Sequence, residues 1–280
     1  MVVSAGDLRA LFATRFDALC REMQRAERSP AQRPVHKTRV EARRLRSLLG
    51  TLKPLLRRDC RERACRDLRN LALELSELRQ ADVRRTRLDR LACESGALEP
   101  AAHRNLLAAM DSSRAEARRR YRAHTRTLAY RERYERLAST LADPQLVQPR
   151  GDLEPVVRMR LRKRWKRLQC ALRARPADTR GLHELRLAAK HVRYASEDLA
   201  PLLGLDLRRE RQRLKQLQDC LGGHRDAADA LEWLASLEEP AGPELLGGLR
   251  APIQKSMSRR TRELARLVDK FPIPDLKAQA

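Results

Sequence analysis

The segment VHKTRVEARRLRSLL, residues 35–49, decides how the rest of the chain is read. On a helix of 3.6 residues per turn, His36, Arg39, Arg43 and Arg46 fall within roughly 80° of one another and form a single stripe. Ala42, Leu45, Leu48, Leu49 and Leu52 gather on the opposite side. The pattern is that of a helix with an apolar back for a bundle core and a cationic ridge in front. From His36 to Arg46 the ridge rises about 15 Å at 1.5 Å per residue. A point ligand uses little of such a length, whereas a chain of phosphates can use all of it.

The pattern occurs twice. LHELRLAAKHVRYAS, residues 182–196, carries His183, Arg186, Lys190 and Arg193 on one stripe, with Tyr194 beside it and Leu185, Ala188, Ala189, Val192, Ala195 and Leu199 behind. The offset is 147 residues, and it pairs His36 with His183, Arg39 with Arg186, Arg43 with Lys190 and Arg46 with Arg193. A second pair, LSELRQADV (75–83) and LGGHRDAAD (221–229), lies at offset 146 and matches Arg79 with Arg225. Two blocks at nearly one offset indicate a duplicated helical unit.

Outward from these blocks, helical periodicity runs almost from end to end. The main interruption is LADPQLVQPRGDLEP, residues 141–155, with three Pro and a Gly. It sets an N-terminal helical half at 1–142, a linker at 143–155 and a C-terminal half at 156–280. Smaller breaks fall at Ser29-Pro30, Ser95-Gly96, Arg175-Pro176, near Gly204 and at EEPAGPELLGG, 238–248. The intervals suit helices of antiparallel bundles. With abundant Leu, Ala, Arg and Glu and only 3% aromatic residues, the expected class is all-α.

Charge narrows the partners. The 280 residues carry 61 basic and 37 acidic side chains, a formal net charge of +24, and nine of the basic residues are Lys, leaving 52 Arg. Self-repulsion of that size opposes compaction, and a polyanion relieves it. Nucleic acid, polyphosphate and an anionic membrane surface are the candidate classes. Arg suits bidentate contact with phosphate. Within the ridges Glu41 and Glu184 are the only acids, so the alternating signs of a merely solvated helix are missing. Among further basic runs, 158–167 ranks highest, because Arg160, Lys163, Arg164 and Arg167 share a face just upstream of the second ridge. Arg44 is counted with the first ridge.

Catalytic, cofactor and membrane chemistry find little support. There is no CxxC, and the six Cys are scattered, which fits free thiols in a reducing compartment. No HxxxH or Cys/His cluster predicts a metal, no GxxxxGK[ST] loop is present, and no cofactor is expected. Asp226, Asp229 and Glu232, at i, i+3 and i+6, read better as a solvated acidic edge than as metal ligands. Gly222-Gly223 reads as a loop bend. No apolar run approaches the ~20 residues of a membrane span, and the N-terminus carries charge too early for a secretory signal, so a soluble cytoplasmic protein is expected.

At His36…Arg39…Arg43-Arg44-Leu45-Arg46, at His183…Arg186…Lys190…Arg193-Tyr194 and at LQDCLGGHRDAAD (217–229), the sequence resembles the CHAD family, the conserved-histidine α-helical domain. The resemblance spans nearly the whole chain. It implies two four-helix-bundle-like halves with pseudo-twofold symmetry and binding of inorganic polyphosphate on a basic central surface; the function expected from this is non-catalytic binding, with polyphosphate-granule targeting as its use. It makes His36, Arg39, Arg43, Arg46, His183, Arg186, Lys190 and Arg193 the binding ridge, supported by Arg79, Arg225, Asp226 and Tyr194. Many relatives add a triphosphate tunnel enzyme, but no ExExK motif occurs here. The first half departs from the pattern, reading Arg79-Gln80 where the second reads Arg225-Asp226. The competing readings are a nonspecific nucleic-acid binder, active at low salt, and an enzyme acting on phosphate chains. The two His are expected to strengthen anion binding below about pH 6.5 by protonating.

Overall fold

The amphipathic periodicity resolves into helices joined by short turns. The structure is a computed structural model describing residues 2–95, 99–147, 151–235, 243–269 and 271–276. In chain order it contains α1 (Ala5–Arg28), α2 (Gln32–Thr51), a 3-10 turn (Lys53–Leu55), α3 (Arg58–Glu74), α4 (Ser76–Ser95), α5 (Pro100–Thr125) and α6 (Leu128–Ala142). Then follow α7 (Glu154–Arg173), α8 (Thr179–Leu199), a second 3-10 turn (Pro201–Leu203), α9 (Arg208–Ala235) and α10 (Pro243–Asp269). The fold is all-α, with no strand among the described residues beyond one isolated bridge, Leu56 to Leu146.

Local chemistry accounts for the ends. Ser4 and Asp7 close a capping box on α1, and the Asp178 side chain accepts the Gly181 N–H to cap α8. Pro155 opens α7 instead of closing a linker, since the missing N–H of a proline costs nothing in a first turn. Of the linker expected at 143–155, residues 148–150 lie outside the described residues. Gln145 and Val147 are laced to the turn after α2 through Arg57 N to Gln145 O and Val147 N to Leu55 O, both 3.0 Å. Of the break expected at 238–248, residues 238–242 lie outside the described residues, and from Pro243 the chain is helical. Gly96 in the expected Ser95-Gly96 break is likewise outside them.

The order helix, basic helix, 3-10 turn, helix occurs twice, as α1–α2–turn–α3 and as α7–α8–turn–α9. In the first half α1, α2, α3 and α6 pack around one another, while α4 pairs with α5. In the second, α7, α8, α9 and α10 pack in sequence. Ala42, Leu45, Leu48, Leu49 and Leu52 of α2 are buried, as are Leu185, Ala189, Val192, Ala195 and Leu199 of α8, so the apolar backs read from the sequence face the core. That core is continuous across both halves, from Leu8 and Phe12 through Leu68 to Trp165, Leu199 and Leu217.

Helices α2 and α8 touch directly. Their contact is braced by Tyr194, which is buried and flanked by the guanidinium groups of Arg44 (5.2 Å from the ring centroid) and Arg193 (5.3 Å). Glu197 gathers both cations, with Arg44 at 2.6 Å and Arg193 at 3.6 Å. One turn further, Arg15 of α1 meets Asp198 at 2.5 Å.

Candidate anion-binding cleft

With both apolar backs turned inward, the two ridges are left facing a common opening. It consists of two adjoining cavities. The first, about 540 Å³, is bounded by Lys190, Arg193 and Tyr194 of α8, by α9, and by Ser256 and Arg260 of α10. The second, about 620 Å³, is bounded by Arg39, by Arg79, Gln80 and Arg84 of α4, and by Arg225, Asp229 and Glu232 of α9. His36, Arg43, Arg186 and Asp226 line both and so mark the waist between them.

Helix geometry sets the cations in place. Arg39 donates to Ser76 Oγ (2.6 Å) and to the Ala72 carbonyl, which fixes it against the α3–α4 junction. Arg43 Nε donates to the Arg39 carbonyl at 3.2 Å. In α9, Gly223 leaves room for Arg260 of α10, for a Cβ there would lie 2.1 Å from Arg260 Cζ. Gly222-Gly223 is therefore not the loop bend expected from the sequence. The pair lies inside α9, and Gly223 is the one whose missing side chain makes room for Arg260.

The crowding of like charge is visible in the ionisation of the site. Burial pushes the Lys190 ammonium down to about 7, and Arg186, Arg43 and Arg193 push the same way against a partial pull from Asp226. His36 keeps an exposed surface, yet burial of part of its ring, followed by Arg79, Arg43, Arg39 and Lys190, lowers its imidazole to about 4. Arg39 falls to about 10 through burial and the nearness of Arg43 and Arg79. The histidine expected to protonate near pH 6.5 is thus held neutral, by burial first and by its cationic neighbours second, until the solution is much more acidic.

Other residues singled out in the sequence lie elsewhere. His183 is exposed and lines neither cavity. Its surroundings break the match with His36: Arg79 stands close enough to His36 to depress it, whereas the equivalent Arg225 turns to Asp229 on its own helix at 2.7 Å. Arg44 is a brace to Glu197 and Tyr194, outside both cavities. On α7, Arg160 Nε donates to the Thr51 carbonyl (2.6 Å) and Arg164 Nε to Thr51 Oγ1 (3.0 Å), so these two finish the C-terminus of α2. Lys163 and Arg167 are exposed and Arg46 half-buried, and none of the three lines either cavity. Arg46, Arg164 and Arg167 instead surround His191, whose imidazole burial lowers to about 4 with help from Arg164, Arg167 and Arg46. Sequence reading passed over His191, although it sits next to Lys190. The basic run Arg259, Arg260 and Arg262, read from the sequence as one of several that could extend the surface, lies on α10, and Arg260 lines the first cavity. Asp226 and Glu232 are exposed and Asp229 half-exposed, as a solvated acidic edge would be, and all three line the second cavity. Among the described residues, no three His, Cys, Asp or Glu side chains are grouped to hold a metal ion.

Comparison with known proteins follows this geometry. Residues 10–235 match the family described as the CHAD domain. The chain belongs to the CHAD family. Two solved structures share the fold of this CHAD protein. One is the CHAD domain from the plant Ricinus communis, 20% identical, covering 99% of this chain and 97% of its own, with a TM-score of 0.75. The other is PptA from Streptomyces chartreusis, 19% identical, covering 95% and 99%, with a TM-score of 0.74. No curated protein matches in sequence. No helix among the described residues of the CHAD chain is long and apolar enough to cross a membrane.

Proposed function

We propose that this CHAD protein binds inorganic polyphosphate along the cleft between its two ridges, without chemistry on the chain. The carrying observation is the convergence of His36, Arg39 and Arg43 from α2 with Arg186, Lys190 and Arg193 from α8 on two cavities that share a waist. A linear polymer with a charge on every phosphate suits two linked, cation-lined chambers. Affinity would come from many charge-assisted bonds and from counterion release. Nucleic acid fits less well. Binding single strands draws on exposed aromatic platforms, and the one Phe, Tyr or Trp lining the cavities among the described residues, Tyr194, is buried and already flanked by two guanidinium groups. Binding of this kind would also hold the protein on polyphosphate granules.

The test is competition near physiological salt, with labelled long-chain polyphosphate displaced by duplex DNA, RNA or unlabelled tripolyphosphate. Long chains should survive nucleic-acid competition, and tripolyphosphate, too short to span both cavities, should compete much more weakly. Easy displacement by either nucleic acid would replace this reading with a generic basic protein.

A pH profile follows from Lys190. In the free protein its ammonium titrates at about 7, and a polyanion beside it raises that value. Binding then takes up a proton above pH 7, so affinity falls as pH rises from 7 to 9, at most about tenfold per unit for one proton. Lys190→Arg keeps the charge and should flatten that limb. A further rise from His36 is expected only toward pH 5, well below the onset read from the sequence. The profile is read by titrating labelled polyphosphate at each pH; an unchanged slope in Lys190→Arg would remove Lys190 from the site.

A further inference from the structure

A cleft lined by so many cations carries an acid where its two cavities meet. Asp226 lines both cavities, and the other charged side chains that do so are cations, Arg43 and Arg186. A phosphate chain running from one cavity into the other passes this carboxylate. Asp226 also faces both halves at once: burial lowers Arg79 on α4 and Lys190 on α8, and the charge of Asp226 opposes that in each, behind Asp82 at Arg79 and as a partial pull at Lys190. Asp229 and Glu232 continue the same wall of α9 into the second cavity, where Asp229 holds Arg225 at 2.7 Å. An acid that only stiffened α9 would gain nothing from this location, and in a polyanion site it repels the ligand.

We propose that Asp226 is the resident counter-ion of the cleft: a carboxylate that stands in for phosphate where the two cavities meet, holds the cations of both ridges together, and sets an upper limit on affinity by opposing the incoming chain. The proposal rests on polyphosphate binding in this cleft. Its consequence is selectivity by charge density. A dense polyphosphate chain overcomes one internal carboxylate through many contacts, while a sparsely charged or short anion does not. Binding is thereby kept reversible in a site otherwise crowded with Arg. Where the first half has Gln80 in place of an acid, the brake is one-sided.

Removing the charge has a signature that loss of a brace does not. Asp226→Asn should tighten long-chain polyphosphate binding by roughly three- to tenfold, the effect of one like charge a few ångströms away at the boundary of protein and water. It should relax the preference for long over short chains. It should also steepen the dependence of affinity on salt, because the emptied waist then collects solution anions that the ligand must displace. Asp226→Glu restores the charge and should return affinity and salt slope to those of the wild type. Both variants are compared by salt-dependent titration with long-chain polyphosphate and tripolyphosphate, with thermal unfolding run in parallel.

If wild type fails to bind polyphosphate at near-physiological salt, the functional reading falls first. If wild type binds but Asp226→Asn binds no tighter, the counter-ion proposal is overturned while the function stands. Weaker binding in Asp226→Asn, whether or not its melting temperature falls, likewise rejects the counter-ion and leaves Asp226 as a positioning residue for Arg79.

Discussion

Replacing Arg43 and Arg186 together by Ala should lower affinity for long-chain polyphosphate at least hundredfold. These two arginines, one from each ridge, line both cavities, so neither chamber keeps a complete set of donors without them. A hydrogen bond to a charged group contributes roughly 1.5–3 kcal/mol, and two such losses correspond to about 10² in affinity at the low end. The low end is the safer expectation, because a polymer can shift its register to use the remaining cations. Fold should be little affected, since both side chains are only partly buried and relief of like-charge crowding favours the free state. Equilibrium titration checks the affinity and circular dichroism checks the helix content. A variant that binds within threefold of wild type would move the site off the ridges.

The second large effect concerns stability. Asp198 has a side chain only 1% exposed, and Arg15 is its cation at 2.5 Å. Burial pushes the Asp198 carboxyl up to about 6, although Arg15 and Arg44 pull it down. A native value above the ordinary 3.8 means that the folded protein binds this proton more readily than the unfolded chain does. The contribution of Asp198 to stability therefore diminishes as pH rises from about 4 through 6. Arg15→Ala removes the chief compensation and should cost about 3 kcal/mol at pH 8, within the range for orphaning a buried charge. At pH 5 the carboxyl accepts a proton and the deficit should shrink. Urea unfolding at both pH values measures it. Equal deficits would assign the loss to packing of the Arg15 stem. Replacing both partners by apolar residues, Arg15→Met with Asp198→Leu, should recover most of the loss.

How much of this was legible before the fold was known follows from the range of each signal. The backs of α2 and α8 and the cations at 39, 43, 186 and 190 are set by position on a single helix, and periodicity reports that directly. His183 has the same helical phase as His36, but its surroundings depend on where Arg225 turns, which is a property of α9. Arg160 and Arg164 share a face, as their spacing says. That face meets the end of α2, and no spacing on α7 encodes the position of Thr51. Gly223 resembled a bend because its reason is a side chain 37 positions away, Arg260. The acids of α9 are solvated, as their spacing says, but a helix wheel cannot show that the wall opposite them is cationic.

The arginine content of the cleft gives its single lysine a separate chemical standing. Among the described residues lining the two cavities only Lys190 carries a primary amine, and with its value lowered to about 7 it gives up its proton far more readily than an ordinary lysine. An ordinary surface lysine is almost wholly protonated there and inert toward mild electrophiles. Burial first, and the guanidinium groups around it second, have thus made one nucleophile placed where phosphate would cover it, so that acylating reagents meet the free protein and its phosphate-bound form as different reactants.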